Sequence, residues 1–156
     1  MNEEFAKRAR EIVEKIIYIT IATVCEDGSP WNPPVYSAHD EEYVFYWISS
    51  QDAIHSKNVR RTGKAFLVIY NSTVKEGTGE GVYIQARAAE VNDETEIALA
   101  IQSHYSRKGK APRSVFDFTG ASPRRFYKAV PEHIWINTDE KVNGHHVDRR
   151  VEILLN

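Results

Sequence analysis

The residues best suited by type and spacing to do chemistry lie between Trp47 and Arg61. A β-prone run ends there in Ser49 and Ser50, and a helix start follows that carries His55, Ser56, Lys57, Asn58 and Arg60. Hydroxyl donors, free backbone N–H groups at a helix N-terminus and cationic side chains converge well on one phosphate, so the pattern suits an anion site for a phosphorylated cofactor. Asp52 opposes that reading, because a carboxylate capping the same helix repels a phosphate unless it faces away. A solvated helix face fits the same residues equally well.

The remaining reactive-looking residues have plainer readings. Gly77-Thr78-Gly79-Glu80-Gly81 has the glycine content of a phosphate loop, but a nucleotide fingerprint needs a helix directly after the glycines. A strand is expected here, so the tract reads as a hairpin tip. The acid pairs Glu41-Glu42 and Asp139-Glu140 fall in expected turns and read as solvated charge. His145 and His146 are neighbours, and neighbours on a strand point to opposite faces, so no metal site is expected from them. Cys25 reads as a small buried residue at a strand end, and no G-x-S-x-G element supports a serine hydrolase.

The elements that position these residues must come from 156 residues, 42% hydrophobic and 27% charged, which suits one packed core under a polar surface. A single domain over 1–156 is expected. Lys+Arg 20 against Asp+Glu 22 leaves a net charge of -2, too balanced for a protein devoted to a nucleic-acid backbone. The one cysteine excludes an intramolecular disulfide, and the start Met1-Asn2-Glu3-Glu4-Phe5 is unlike a secretory signal. The longest apolar runs fall short of the roughly 20 residues that span a bilayer. A cytoplasmic protein is the expectation.

Asn2 suits a helix N-cap, and Phe5, Ala9, Ile12, Val13 and Ile16 recur at helical spacing, predicting a helix to about Lys15. Strands are predicted over Ile17 to Val24, Val35 to Ala38 and Tyr43 to Ile48, the last covered on both faces. A short helix from Ala53 to Arg61 stops at Thr62-Gly63, and the strands Ala65 to Asn71 and Val82 to Val91 make a long hairpin. Asn92 or Asp93 caps a second main helix whose buried face carries Ile97, Ala98, Ile101 and His104 or Tyr105. Arg107 to Pro123 reads as a basic loop anchored by Val115, Phe116 and Phe118, before short strands at Arg125 to Val130, His133 to Asn137 and Arg149 to Leu154. Six to eight strands with two or three helices predict a mainly β fold, a small antiparallel barrel.

The ordered series Ile21 to Gly28, Pro34-Val35-Tyr36, Val44 to Ser50, His55 to Arg60 and Gly81 to Ala88 resembles the pyridoxamine 5'-phosphate oxidase-like family, the FMN-binding split-barrel superfamily. A looser continuation runs through Arg125 to Tyr127, Pro131 to Trp135 and Asp148-Arg149. The resemblance implies an antiparallel split β-barrel and a homodimer with FMN in clefts between the subunits. It assigns Trp47, Ile48, Ser49 and Ser50 to the strand end lining the flavin, and His55, Ser56, Lys57 and Asn58 to its phosphate. Trp135 and Arg149 match residues that reach the cofactor from the C-terminal part.

True oxidases of the family place an Arg and a Lys on the second strand, where this chain has Asn32 to Ser37, and an Arg-x-His where it has His145-His146-Val147. The resemblance therefore implies an FMN-dependent oxidoreductase acting on another small molecule, not a vitamin B6 oxidase. Two alternatives stand beside it. One is a deazaflavin-dependent reductase using a basic entrance built from Arg107, Lys108, Lys110, Arg113, Arg124 and Arg125. The other is a non-enzymatic flavin or haem sensor or carrier, with His133 or His146 as the axial ligand.

Overall fold

A computed structural model describes residues 2–156. Its elements in chain order are α1 (Asn2–Lys15), β1 (Tyr18–Val24), β2 (Pro30–Trp31), β3 (Pro34–His39), β4 (Phe45–Ser50), α2 (Ile54–Thr62), β5 (Lys64–Tyr70), β6 (Gly81–Glu90), α3 (Glu94–Lys108), a 3₁₀ turn (Val115–Phe118), β7 (Arg124–Val142) and β8 (His145–Ile153). The N-cap role expected of Asn2 rests on a side chain outside the described ones.

Six strands close into an antiparallel barrel in the order β1-β3-β4-β7-β6-β5, sealed by pairing of β1 with β5. Alternation drives this closure. In β1, Ile19, Ile21 and Thr23 are buried and the residues between them are not, and β5 repeats the pattern with Ala65, Leu67 and Ile69. A barrel leaves no open edge along those strands, which protects their backbone groups from wrong pairing. The interior is filled by Ile19, Ile21, Phe45, Trp47, Leu67, Ile84, Tyr127 and Ile136, with Ala9 and Val13 of α1 and Val59 of α2 packed into the same cluster.

The strand β7 organises the molecule. Its first part, Arg124 to Ala129, pairs with β4, its later part, Ile134 to Val142, pairs with β8, and β6 runs along its other side. Two short strands were expected where this one long strand forms. The register shift between Gln85 and Ala86 absorbs the interruption at Pro131, whose missing N–H is tolerated at a bulge. The β8 strand begins at His145 rather than Arg149 because Asn143 and Gly144 make the hairpin turn with positive φ, 50° and 81°. Asp139 and Glu140 accordingly lie on a strand, pairing with His146 and Arg149, and not in a turn.

On the outer side of β4 and β7, α3 and the 3₁₀ turn bury a second cluster containing Tyr46, Phe126, Ile97, Ala100, Ile101, Tyr105 and Phe118. The expected two-sided burial of β4 follows from this, with Phe45 and Trp47 facing the barrel and Tyr46 facing α3. Asp93 is the cap of α3, its carboxylate accepting from Glu96 N at 2.8 Å. Ala98 is exposed and Ala100 takes the buried position, while His104 and Tyr105 are both buried. Phe116, expected as an anchor, is 79% exposed, because the tight 3₁₀ turn sends Phe118 inward instead.

Arg107 joins the two main helices. Its guanidinium donates to the carbonyls of Val13, Glu14 and Ile16 at 2.9, 2.9 and 3.1 Å, closing the C-terminus of α1, and to Ser37 O at 3.2 Å. A helix end leaves several carbonyls without partners, and a cation there also meets the negative end of the helix dipole. Among the described residues, no helix is long and apolar enough to cross a membrane.

Candidate functional site

The end of β4 and the start of α2 form the candidate site. A β-turn at Ser50 to Ala53 reverses the chain, with Ala53 N donating to Ser50 O and Asp52 N donating to Ser50 Oγ at 3.2 Å. Ala53 precedes α2 in an extended conformation and offers no side-chain cap, and no acidic residue stands in the first turn. Asp52 is exposed and does not cap the helix, so the objection it raised in the sequence is removed. The first N–H groups of α2 therefore keep their capacity to meet an anion, at the positive end of the helix dipole. The helix stops at Gly63, whose φ of 67° suits glycine and whose N–H returns to Val59 O.

Ser49 Oγ and His55 Nε2 are hydrogen-bonded at 2.8 Å across this turn. His55 is half-buried, and burial lowers its pKa, so the imidazole is neutral near pH 7 in the ligand-free chain. Lys57 is exposed on the same helix, and Ser50 is exposed at the strand end. The hydrogen bond brings Ser49 and His55 together, while Ser50 and Lys57 lie exposed on the adjoining strand end and helix.

Other residues expected here serve the fold. Trp47 is fully buried against Tyr127, with ring centroids 5.9 Å apart, so its side chain belongs to the barrel core and presents no face to a ligand. Ile48 packs partly into the cluster beneath α3. Ser56 is 1% exposed with its hydroxyl beside the Tyr127 phenol, and Asn58 turns inward to donate to Thr23 Oγ1 at 3.0 Å, tying α2 to β1. Both are buried together with Val59, the inward-packed residues of α2.

A buried-edge network that sequence reasoning missed lies beside this patch. Glu90 accepts from Arg60 Nη1 at 3.1 Å and from the Tyr127 hydroxyl at 3.2 Å, and pairs with Arg125 Nε at 3.5 Å. Arg60 also donates to Gln51 O at 2.6 Å, so it braces the turn that precedes α2. Arg125 holds the loop before β7 through Gly120 O at 2.7 Å. Burial and the Glu90 carboxylate push the Tyr127 phenol up. Only the residue types of Arg60 and Glu90 are visible in sequence, and their pairing depends on α2 packing against β6.

Trp135 and Arg149 lie elsewhere. Arg125 pairs with Ser49, whereas Trp135 is about 30 Å of strand further along β7 at ~3.3 Å per residue. Trp135 stacks between Phe66 at 6.4 Å and His133 at 5.5 Å on the outer face of the barrel, and Arg149 pairs with Glu140 at 2.9 Å on the projecting β7–β8 ribbon. The chain does not bring either residue to the Ser49–His55 patch. His145 and His146 sit on that ribbon, and no group of three metal-ligating side chains occurs among the described residues.

Solved structures share this fold. A heme binding protein from Mycobacterium smegmatis matches with a TM-score of 0.70 at 17% identity, covering 94% of this chain and 57% of that one. A heme storage protein from Vibrio cholerae matches with a TM-score of 0.68 at 15% identity, over 82% and 90% of the two chains. An FAD binding protein from Mycobacterium smegmatis matches with a TM-score of 0.64 at 13% identity, over 84% and 92%. Curated protein sequences give no match. The profile of the pyridoxamine 5'-phosphate oxidase family, however, matches residues 5–137, which span the barrel strands, α2 and the Ser49–His55 patch. With barrel, strand end and profile in agreement, the chain belongs to the pyridoxamine 5'-phosphate oxidase family.

Proposed function

We propose that this protein is an FMN-binding flavoprotein acting as an oxidoreductase on a small molecule. The observation that carries the reading is the uncapped N-terminus of α2 beside the Ser49–His55 hydrogen bond, with Lys57 exposed and no carboxylate in the first turn. Flavin binding by a structural neighbour adds support. In this reading Ser49, Ser50, His55 and Lys57 hold the phosphate, and the Arg60–Glu90–Arg125 network keeps the turn before α2 in place. The flavin supplies hydride or electron transfer when bound, while the protein orients the ring and tunes it through hydrogen bonds and charge.

A homodimer follows from the same reading. The outer face of β1, β5, β6 and β7 presents the register-linked row Thr20, Val68, Tyr83 and Trp135, with Phe66 stacked on Trp135. Val24 and Trp31 beside it are 50% and 42% exposed. Exposed Val24 and Trp31 beside this partly covered face, where Arg150 lies over Tyr83 at 3.7 Å, suit a second copy, and a second copy is what would carry Trp135 and Arg149 to the flavin of its neighbour. A cytoplasmic setting goes with this proposal.

The test is FMN retention. Replacing His55 and Lys57 with Ala should weaken FMN binding by about a hundredfold, since two charge-assisted hydrogen bonds contribute about 3 kcal/mol together. Retention equal to the wild-type protein would refute the phosphate assignment. A second reading, haem binding, has its own observation. His133 Nδ1 meets Glu152 at 2.6 Å and His146 Nδ1 meets Asp139 at 2.9 Å, an arrangement that leaves Nε2 for a metal. A haem titration followed by difference absorbance separates the two readings.

A further inference from the structure

The basic segment after α3 is absorbed only in part by the fold. Arg107 closes α1 and Arg125 holds the loop before β7. Lys108 Nζ sits 4.8 Å from the Tyr36 ring centroid and 5.0 Å from that of Tyr105. Lys110, Arg113 and Arg124 have no carboxylate within ion-pair distance among the described residues. Asp117, the acid on this segment, is engaged by Ser114 N in the cap of the 3₁₀ turn. Burial pulls the Lys108 ammonium down, and Lys110, Arg113 and Arg124 add to the effect.

Beside Lys110 and Arg113 lies a cavity of about 480 Å³ between α3 and the segment that follows it. Its walls include Ala98, Ile101, Tyr105, Pro112 and Val115, and Lys110 and Arg113 stand on its rim. Phe116, next to Val115, leaves 79% of its surface in solvent. A volume in the range of roughly 300–1,000 Å³, apolar walls and a few convergent polar groups are the attributes of a small-molecule site.

We propose that the cleft between α3 and residues 110–115 binds a small amphipathic anion, its aromatic body against Ile101, Tyr105 and Val115 and its anionic group at Lys110 and Arg113. The apolar walls gain from excluding water, and the unpaired cations gain a counter-charge at the edge of a low-dielectric surface. The site lies on the α3 side of the sheet, distinct from the β4–α2 patch, and does not depend on flavin binding there.

The experiment uses the full chain with two fluorescent probes of the same aromatic body. Anilinonaphthalene sulfonate carries one anionic group, and phenylnaphthylamine carries none. The wild-type protein should bind the sulfonate about tenfold more tightly than the neutral probe, and the Lys110→Ala/Arg113→Ala variant should lose about that factor for the sulfonate alone. Both cations are exposed, so this variant keeps the fold, and its circular dichroism should match the wild type. Ala98→Trp, at an exposed position on the cleft wall, should abolish binding of both probes. Sulfonate binding that is unchanged in the double variant, or that survives Ala98→Trp, overturns the proposal. Displacement of the sulfonate by saturating FMN places the probe at the β4–α2 patch and overturns it too. Loss of FMN binding alone leaves it standing.

Discussion

Acid should destabilise this protein through one buried histidine. His104 is 1% exposed on α3, its ring edge-on to Tyr36 at 4.9 Å and to Phe126 at 5.6 Å, and the Tyr36 backbone only partly offsets the cost of charging it there. Burial, with Lys108 and Arg107 nearby, holds its pKa down from 6.5 to about 4. The unfolded chain takes up this proton as pH falls below 6.5, while the folded chain resists until about 4. Stability is therefore complete above the unfolded value and is lost as pH falls through that window. A depression of this size is equivalent to about 3 kcal/mol, a large part of a typical domain stability of roughly 5–15 kcal/mol. The assay is urea unfolding followed by tryptophan fluorescence at a series of pH values, for the wild type and for His104→Leu. The variant removes the titrating group, so its stability should lie about 3 kcal/mol flatter than the wild type between neutral and acid pH. Parallel curves for the two proteins would refute the assignment.

Three further outcomes are expected. Arg107→Met should lower stability by about 2–3 kcal/mol, because three carbonyls at the end of α1 and Ser37 O lose a charged donor, and a thermal melt with an unchanged midpoint would contradict the capping role. Gly63→Ala should cost about 1 kcal/mol, since a φ of 67° strains any Cβ while open space leaves no clash to add, and denaturant midpoints measure it. FMN affinity should rise as pH falls below neutrality, because a bound phosphate favours the protonated form of His55 that burial disfavours in the free chain. The same titration on His55→Gln isolates that contribution from the titration of FMN itself, and identical slopes would remove His55 from the phosphate site.

Much of the local structure was legible because it depends on neighbours in sequence. Alternation in Tyr18 to Val24 and in Lys64 to Tyr70, the helical spacing of Ala9 and Val13, the cap at Asp93 and the stop at Gly63 are all short-range signals. The Asn143-Gly144 turn was equally available in the sequence, and overlooking it shortened the last strand. Splitting β7 at Pro131 was a reasonable local inference, overturned by a bulge that belongs to the pairing of two strands rather than to either one.

The candidate site divides along the same line. Residue types from Ser49 to Lys57 predict a strand end running into a helix start, and the ordered motifs placed the chain in its family, since both are properties of contiguous segments. Which of these side chains stay on the surface was decided by the tertiary structure. Barrel closure buries Trp47, Ser56 and Asn58 and leaves Ser50 and Lys57 exposed, while the packing of α2 on β6 brings Glu90 to Arg60 and the adjacency of β6 and β7 brings it to Arg125. The great length of β7 separates Trp135 and Arg149 from the Ser49–His55 patch. Burial and long-range pairing sum over the whole chain, so no local pattern encodes them, whereas turn chemistry and hydrophobic periodicity act within a few residues and can be read directly.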